Sequence, residues 1–276
     1  MTPKPTIIVT GCSTGIGAHC AKRLHEDGWA VIASARKDED LERLRAEGAT
    51  ALFLEHKDPE SIEAFFAQAM QVSEGRLDGL FNNAGYAQPG AVEDLPEAAL
   101  REQMEVNFFA YHHMMRLGAN VMRTRGNGRI VNCSSILGRV PMPWRGAYNA
   151  SKYALNALTM TMRMELEGTG VFASLIEPGP IPSNIAQTGA RYAMKYIDIA
   201  GSPHADEYRA RLEDLMSQKP PKDTFGSEPV YRALKKALTD KRPRPHYPVT
   251  RETRLGLAMD RFLPKDLAYR LFRRMA

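Results

Sequence analysis

Short apolar runs alternate with longer stretches in which apolar residues recur every three or four positions. Residues 6–10, 30–34, 51–54, 79–81, 129–133 and 171–176 read as strands, with helix-like segments between them. Runs such as Ile7-Ile8-Val9 and Ile130-Val131 are apolar on successive residues, as expected of parallel strands covered on both faces. The alternation predicts an α/β fold, a doubly wound parallel sheet with helices on both faces. A chain of 276 residues can bury one large core of this kind. No repeat or composition shift marks a linker before residue 240, so residues 1–250 are predicted to form one domain and 251–276 a helical tail.

Two segments depart from the strand-helix rhythm. Residues 183–226 are too long for a simple connection and are predicted to form a lid. Ser202-Pro203 resembles a helix start, which places a helix over about residues 203–217. The competing reading, a disordered surface insertion, must leave Tyr192, Met194, Tyr196, Ile197 and Ile199 in water. Residues 253–275 read as two short helices divided at Pro264.

Charge changes the picture mainly in that tail. Of the net +5, residues 241–276 contribute ten Lys or Arg against three Asp or Glu, or +7, which leaves the first 240 residues at −2. Basic amphipathic helices either pack on protein with their arginines in water or lie on an anionic membrane, and both readings stand at this point. Nucleic acid is not expected as a partner, because no recognition motif accompanies the charge. Hydrophobic content of 43%, with no apolar run near the length of a membrane span and no signal-like start, predicts a cytoplasmic protein, with membrane association through the tail as the alternative. Cys12, Cys20 and Cys133 are odd in number and lack metal-ligand spacing, so they are expected to be free thiols and no metal is expected.

The candidate chemistry begins at the first strand-to-helix turn. Thr10-Gly11-Cys12-Ser13-Thr14-Gly15-Ile16-Gly17 opens a helix whose unpaired N–H groups and dipole suit a diphosphate. Further along, Tyr148 and Lys152 share a helix face at i, i+4, and Ser135 closes a strand thirteen residues before Tyr148. Tyr231 and Lys235 repeat the spacing without a preceding serine at a strand end. A free tyrosine titrates near 10 and is a poor base at neutral pH, so an adjacent ammonium at Lys152 is expected to favour its ionised form.

In these motifs the chain resembles the short-chain dehydrogenase/reductase family. Thr-Gly-x-x-x-Gly-x-Gly is joined by Asn82-Asn83-Ala84-Gly85, Ser135, Tyr148-Asn149-Ala150-Ser151-Lys152 and Pro178-Gly179 in order, over about residues 6–247. Ile176-Glu177-Pro178-Gly179-Pro180-Ile181 and Tyr247-Pro248-Val249-Thr250 look most like its retinol, hydroxysteroid and aldehyde reductase branch. The resemblance implies a seven-stranded Rossmann sheet and a nicotinamide-dependent oxidoreductase that interconverts carbonyl and CH–OH groups. It implies that Ser135 holds the substrate oxygen, Tyr148 exchanges the proton, Lys152 also binds the nicotinamide ribose and Asn107 helps organise a water relay. It also implies cofactor contacts from Gly11, Ser13, Thr14, Gly15, Ile16, Gly17, Asn83, Ala84, Gly85, Pro178, Gly179, Ile181 and Ser183, the last in place of the usual threonine.

Ala35 stands at the end of the second strand, where an acid would accept the 2′-hydroxyl of NAD, and Arg36 and Lys37 follow it. NADP(H) is therefore expected before NAD, the bland alternative being a solvated turn that balances Asp38, Glu39 and Asp40. Adenine is expected at Glu55, with Asp58 as the competing position. Walls expected from Tyr86, residues 137–144 (Leu137 to Trp144) and the lid after Ser183 are mostly apolar or aromatic and predict a small apolar aldehyde, ketone, retinoid or steroid-like substrate. Trp144 and Arg145 either narrow the mouth and select a polar end group or form a surface loop. A homodimer or homotetramer is expected. The rival class, a non-catalytic dinucleotide sensor or scaffold, has no use for Ser135, Tyr148 and Lys152 together. A sugar-nucleotide epimerase of the same superfamily would keep Tyr and Lys but carry a different glycine spacing and a longer C-terminal domain.

Overall fold

The computed structural model describes residues 4–181, 184–217 and 225–275. Seven strands run parallel in the order β3-β2-β1-β4-β5-β6-β7: β1 Thr6–Val9, β2 Ala30–Ala35, β3 Thr50–Phe53, β4 Gly79–Asn82, β5 Gly128–Cys133, β6 Val171–Glu177 and β7 His246–Pro248. Ile8 of β1 aligns with Ile32 of β2 on one side and Leu80 of β4 on the other, so the centre of the sheet is apolar throughout.

Successive residues of each strand serve opposite cores, which is why the central strands are apolar without alternation. Ile7 and Val9 face a cluster containing Cys20, Ala21 and Leu24 of α1 (Gly15–Glu26), Leu41 and Leu44 of α2 (Asp38–Ala46), and Val230, Tyr231 and Leu234. Ile8 and Ile32 face the other, built from Ile62, Phe65 and Phe66 of α3 (Pro59–Val72) and Met114, Met115 and Met122. Asp58 caps α3 by accepting from Glu60 N at 3.0 Å, with Pro59 at the first helical position.

A short helix α4 (Glu97–Met104) passes through one π-helical turn, Glu105–Phe109, into α5 (Ala110–Arg125), and α6 spans Gly146–Glu165. The six strands read from the pattern stand within a residue or two of their predicted limits. The seventh, implied by the resemblance alone, has three residues, ends in Pro248 and pairs only with β6, as a proline-bearing edge strand must.

The region after β6 holds two helices, α7 (Ile185–Tyr196) and α8 (Ala205–Ser217), where the pattern predicted one. The buried side of α7 consists of Gly189, Ala190 and Ala193, which are too small to mark an apolar stripe in the sequence. Next comes α9 (Glu228–Thr239), then α10 (Arg251–Phe262) and α11 (Lys265–Met275) on either side of Pro264. Ala268 and Phe272 of α11 are buried against Val140, beside Ile136 and Leu257. Leu255, Phe262, Leu267, Tyr269 and Met275 of the same two helices remain exposed. No helix among the described residues is long and apolar enough to cross a membrane.

Candidate active site

The strand order reverses between β1 and β4, and in open parallel sheets ligands bind at the carboxyl ends of the strands at such a point. The glycine turn lies there and is tied to its neighbours through the Thr10 hydroxyl and its own carbonyls. Thr10 Oγ1 accepts from the N–H groups of Asn83 and Ala84 at 2.9 and 3.2 Å, and Asn83 Nδ2 donates to Thr10 O and Gly11 O. A Cβ on Gly17 would stand 2.2 Å from Gly11 O, and one on Gly11 would stand 2.7 Å from the Ala84 Cα. Only bare backbone fits where the turn, α1 and the 83–85 segment converge.

Thr14 precedes α1 without capping it and no acid occupies the first turn, so among the described residues neither competes for the terminal N–H groups near Gly15, Ile16 and Gly17. These features fit the diphosphate of a dinucleotide. Ser13 contributes its carbonyl to a contact that local pattern does not signal. Arg43, on α2, donates to Cys12 O at 3.2 Å and Ser13 O at 2.8 Å and so braces the turn from thirty residues away.

After β2, where the adenosine is expected, Arg36 NH1 donates to Glu55 Oε2 at 3.4 Å. Arg36 is 60% exposed and Lys37, paired with Glu39, is 72% exposed, so both cations are free to turn towards a ligand. Glu55 holds Lys57 N at 3.1 Å, while Asp58 is occupied as the cap of α3. His56 is buried with no partner for Nε2 among the described residues, and burial pushes its pKa down to about 4.

The catalytic candidates meet at the end of β5. Ser135 begins the 3-10 turn Ile136–Gly138 and accepts from Leu137 N at 3.1 Å, and its hydroxyl is near enough to the Tyr148 phenol to favour the phenolate. Tyr148 lies in the first turn of α6, and one turn on Lys152, 3% exposed, donates from Nζ to Cys133 O at 2.8 Å. Lys152 Nζ lies over the faces of Tyr111 and Tyr148, 5.0 and 5.7 Å from their centroids.

The electrostatics differ from what the spacing implied. Burial raises the Tyr148 pKa, with a smaller contribution from Cys133, and the opposing pull comes from the Ser135 hydroxyl and the Arg145 guanidinium. Burial likewise lowers Lys152 to about 8. Lys152 Nζ lies over the Tyr148 ring, and the Arg145 guanidinium adds a positive charge that favours the phenolate. All three cysteines are free and buried.

Asn107 sits in the π-helical turn and is fully buried. Its Oδ1 accepts from Tyr86 N at 3.2 Å, and its Nδ2 donates to Tyr86 O at 2.9 Å and Ser151 Oγ at 3.4 Å. It thereby joins the Gly85-Tyr86 segment to α6, and a Cβ on Gly85 would already stand 3.0 Å from Asn107 Oδ1. Pro178 O accepts from Ile136 N at 2.9 Å, which binds the loops after β5 and β6 together. Gly179 abuts Thr250 Oγ1, the cap of α10, and Ile181 packs on the core. Ser183 lies outside the described residues.

Leu137 lies in the 3-10 turn after Ser135, and Trp144 precedes the helix that carries Tyr148. The Trp144 ring meets Tyr208 edge-on at 4.8 Å, and Arg211 lies 4.7 Å over it, so α8 closes one side of the region. On the other, Tyr86 stacks on Tyr192 of α7 at 3.9 Å, and Lys57, Lys195, Tyr192 and Tyr196 converge on Glu102. Burial opposes ionisation of that carboxyl, but the donors outweigh it and hold its pKa at about 2. Among the described residues no group of three or more His, Cys, Asp or Glu could hold a metal.

A family model described as short chain dehydrogenase matches residues 5–191. The chain belongs to that family. It is 35% identical over 263 residues to the uncharacterized oxidoreductase YbbO of Escherichia coli K12, covering 94% of this chain and 90% of the relative. It is 33% identical over 186 residues to the NADPH-dependent 1-acyldihydroxyacetone phosphate reductase of Schizosaccharomyces pombe, covering 67% and 62%. Among solved structures, a short-chain dehydrogenase from Streptomyces avermitilis superposes with a TM-score of 0.75 at 26% identity, covering 93% of this chain and 92% of the other. Membership makes this chain an oxidoreductase that uses a nicotinamide dinucleotide.

Proposed function

We propose that the protein is an NADP(H)-dependent carbonyl reductase, with Tyr148 exchanging a proton with the substrate oxygen and Ser135 holding that oxygen. The observation that carries the reading is the meeting of the Ser135 hydroxyl and the Tyr148 phenol at the end of β5, with Lys152 one helical turn on. When bound, the dinucleotide supplies or accepts the hydride.

The protein's part is to orient and to handle the proton. Burial keeps Tyr148 in its protonated form at neutral pH, as a donor to a carbonyl oxygen requires. Ser135 and Tyr148 together present two hydrogen bonds to the oxygen on which negative charge grows during reduction. Lys152, held by Cys133 O, carries the nearby ammonium and serves a ribose hydroxyl of the bound cofactor. Asn107 fixes Tyr86 and the turn of α6 that carries Ser151, and so sets the distance between the Gly85 loop and Tyr148.

NADP(H) over NAD rests on Ala35 where an acid would bind the 2′-hydroxyl, on the two exposed cations beside it, and on the NADPH dependence in the name of the Schizosaccharomyces pombe relative. Leu137, Trp144 and Tyr86 favour an apolar body in the substrate. Buried free thiols suit a reducing, cytoplasmic compartment. The exposed apolar and basic side of α10 and α11 suits either a second copy in a homodimer or homotetramer or an anionic membrane, and liposome co-sedimentation separates the two.

The test is a panel of aldehydes and ketones with NADPH and NADH, run on the wild type and on Tyr148→Phe. Turnover with NADPH that falls about 10²–10⁴-fold in the variant, with cofactor binding retained, is the expected result. A folded Tyr148→Phe protein of undiminished activity defeats the mechanism. Cofactor binding without turnover of any carbonyl replaces it with a non-catalytic dinucleotide sensor.

A further inference from the structure

Arg145 stands where a cation is badly placed. It forms the N-terminal boundary of α6, a helix of 20 residues whose dipole is positive at that end. A second guanidinium, that of Arg211, is close enough to repel it. Arg145 is half-buried, and among the described residues its guanidinium has no carboxylate or carbonyl partner. Arg211, by contrast, is paired with Glu207 at 2.8 Å and stacked on Trp144. A half-buried arginine is ordinarily paired, because an uncompensated charge withdrawn from water is costly.

The backbone holds Arg145 in this position at some strain. Trp144 adopts φ +62, a left-handed conformation unusual for a bulky residue. It is fixed there by the bond from Gly90 N to Trp144 O at 3.1 Å and by the packing of its ring on Tyr208. Gly90 and Arg145 form an isolated parallel bridge, which ties this turn to the segment after the glycine-bearing loop at 83–85. The effect is to set a guanidinium three residues before Tyr148, within electrostatic reach of its phenol. Burial, the helix dipole and Arg211 all act against the cation, and a bound anion relieves all three together.

We propose that Arg145 is the anion-recognising group of the substrate pocket, so that the substrate joins a reducible carbonyl, through an apolar body, to a carboxylate or phosphate end. This rests on the reading of Tyr148 as the group that meets the carbonyl oxygen. Arg145 is a binding residue that selects among carbonyl compounds. Its planar fork matches either oxyanion.

The experiment compares paired substrates with NADPH: 4-carboxybenzaldehyde against 4-methylbenzaldehyde, and glyceraldehyde 3-phosphate against glyceraldehyde. The wild type is expected to favour the anionic member of at least one pair in kcat/KM by about ten- to a hundred-fold, mainly through KM. The pair with the larger preference distinguishes carboxylate from phosphate. In Arg145→Gln the preference collapses, and in Arg145→Lys part of it returns. A wild type that reduces the neutral aldehydes without preferring either anion overturns the proposal, as does an Arg145→Gln variant that keeps the preference.

If no aldehyde is reduced, the reading of the enzyme's activity fails, and binding then decides the role of Arg145 by itself. Calorimetry of 4-carboxybenzyl alcohol and 4-methylbenzyl alcohol on the NADP⁺-loaded protein gives that readout. Tighter binding of the carboxylate, lost in Arg145→Gln, upholds the anion site, and equal binding of the two alcohols ends it.

Discussion

Replacing Lys152 with methionine should flatten the protein's stability against alkaline pH while removing its activity. The side chain is 3% exposed, and burial brings its pKa from the ordinary 10.5 to about 8. By linkage, holding the ammonium there costs about 3 kcal/mol wherever both folded and unfolded chains carry the proton. Below about pH 8 that cost is fully present. Between about 8 and 10.5 the folded protein releases the proton first, so its stability rises with pH, and above 10.5 the cost has gone.

Lys152→Met keeps the length of the side chain but has nothing to titrate. At pH 7 the relief of about 3 kcal/mol is offset by about 1–3 kcal/mol for leaving Cys133 O without its donor, so absolute stability changes little. The decisive quantity is the difference between variant and wild type across pH. Urea unfolding of both proteins without cofactor, at pH 7, 8.5 and 10, subtracts the titration of every other group. Their stabilities should converge or cross by about 3 kcal/mol over that range. Parallel curves would show that Lys152 is not desolvated as the fold implies, and the assignment of a costly lysine kept for its chemistry would fall with it.

Arg36→Ala should weaken NADPH about ten-fold or more and spare NADH, as read from kcat/KM for each, because a 2′-phosphate loses a charge-assisted partner; equal losses for both cofactors would refute the NADP assignment. Gly17→Ala places a methyl 2.2 Å from Gly11 O and should abolish dinucleotide binding by fluorescence titration, with about 1–3 kcal/mol of destabilisation; unaltered binding would show that the cradle lies elsewhere. His56 sits in the folded protein with its pKa lowered to about 4, so stability should drop as pH falls from 6.5 towards 4, by about 3 kcal/mol. His56→Phe should lose much of that acid dependence in thermal unfolding, and an identical acid limb would disprove the burial argument.

Much of the architecture was legible because it is local. Consecutive apolar residues such as Ile7-Ile8-Val9 report a strand buried on both faces, and the glycines from Gly11 to Gly17 report a backbone that no side chain can enter. Tyr148 and Lys152 share a face by helical geometry alone, and Ser135 can be expected beside them because it closes the strand before their helix. The short β7 and the small-residue face of α7 were harder to read, since neither carries a strong period.

Only the tertiary structure decided which charges meet. The spacing of Tyr148 and Lys152 says nothing of where the ammonium points; it donates to Cys133 O and lies over the ring faces, and Arg145 adds its own charge near the phenol. Arg43 braces the carbonyls of Cys12 and Ser13, and Glu102 gathers Lys57 and Lys195 from 45 and 93 residues away. Periodicity belongs to neighbours along the chain and is written in their order. The field at a reacting atom belongs to neighbours in space, and desolvation sets its strength only once distant segments have closed over it.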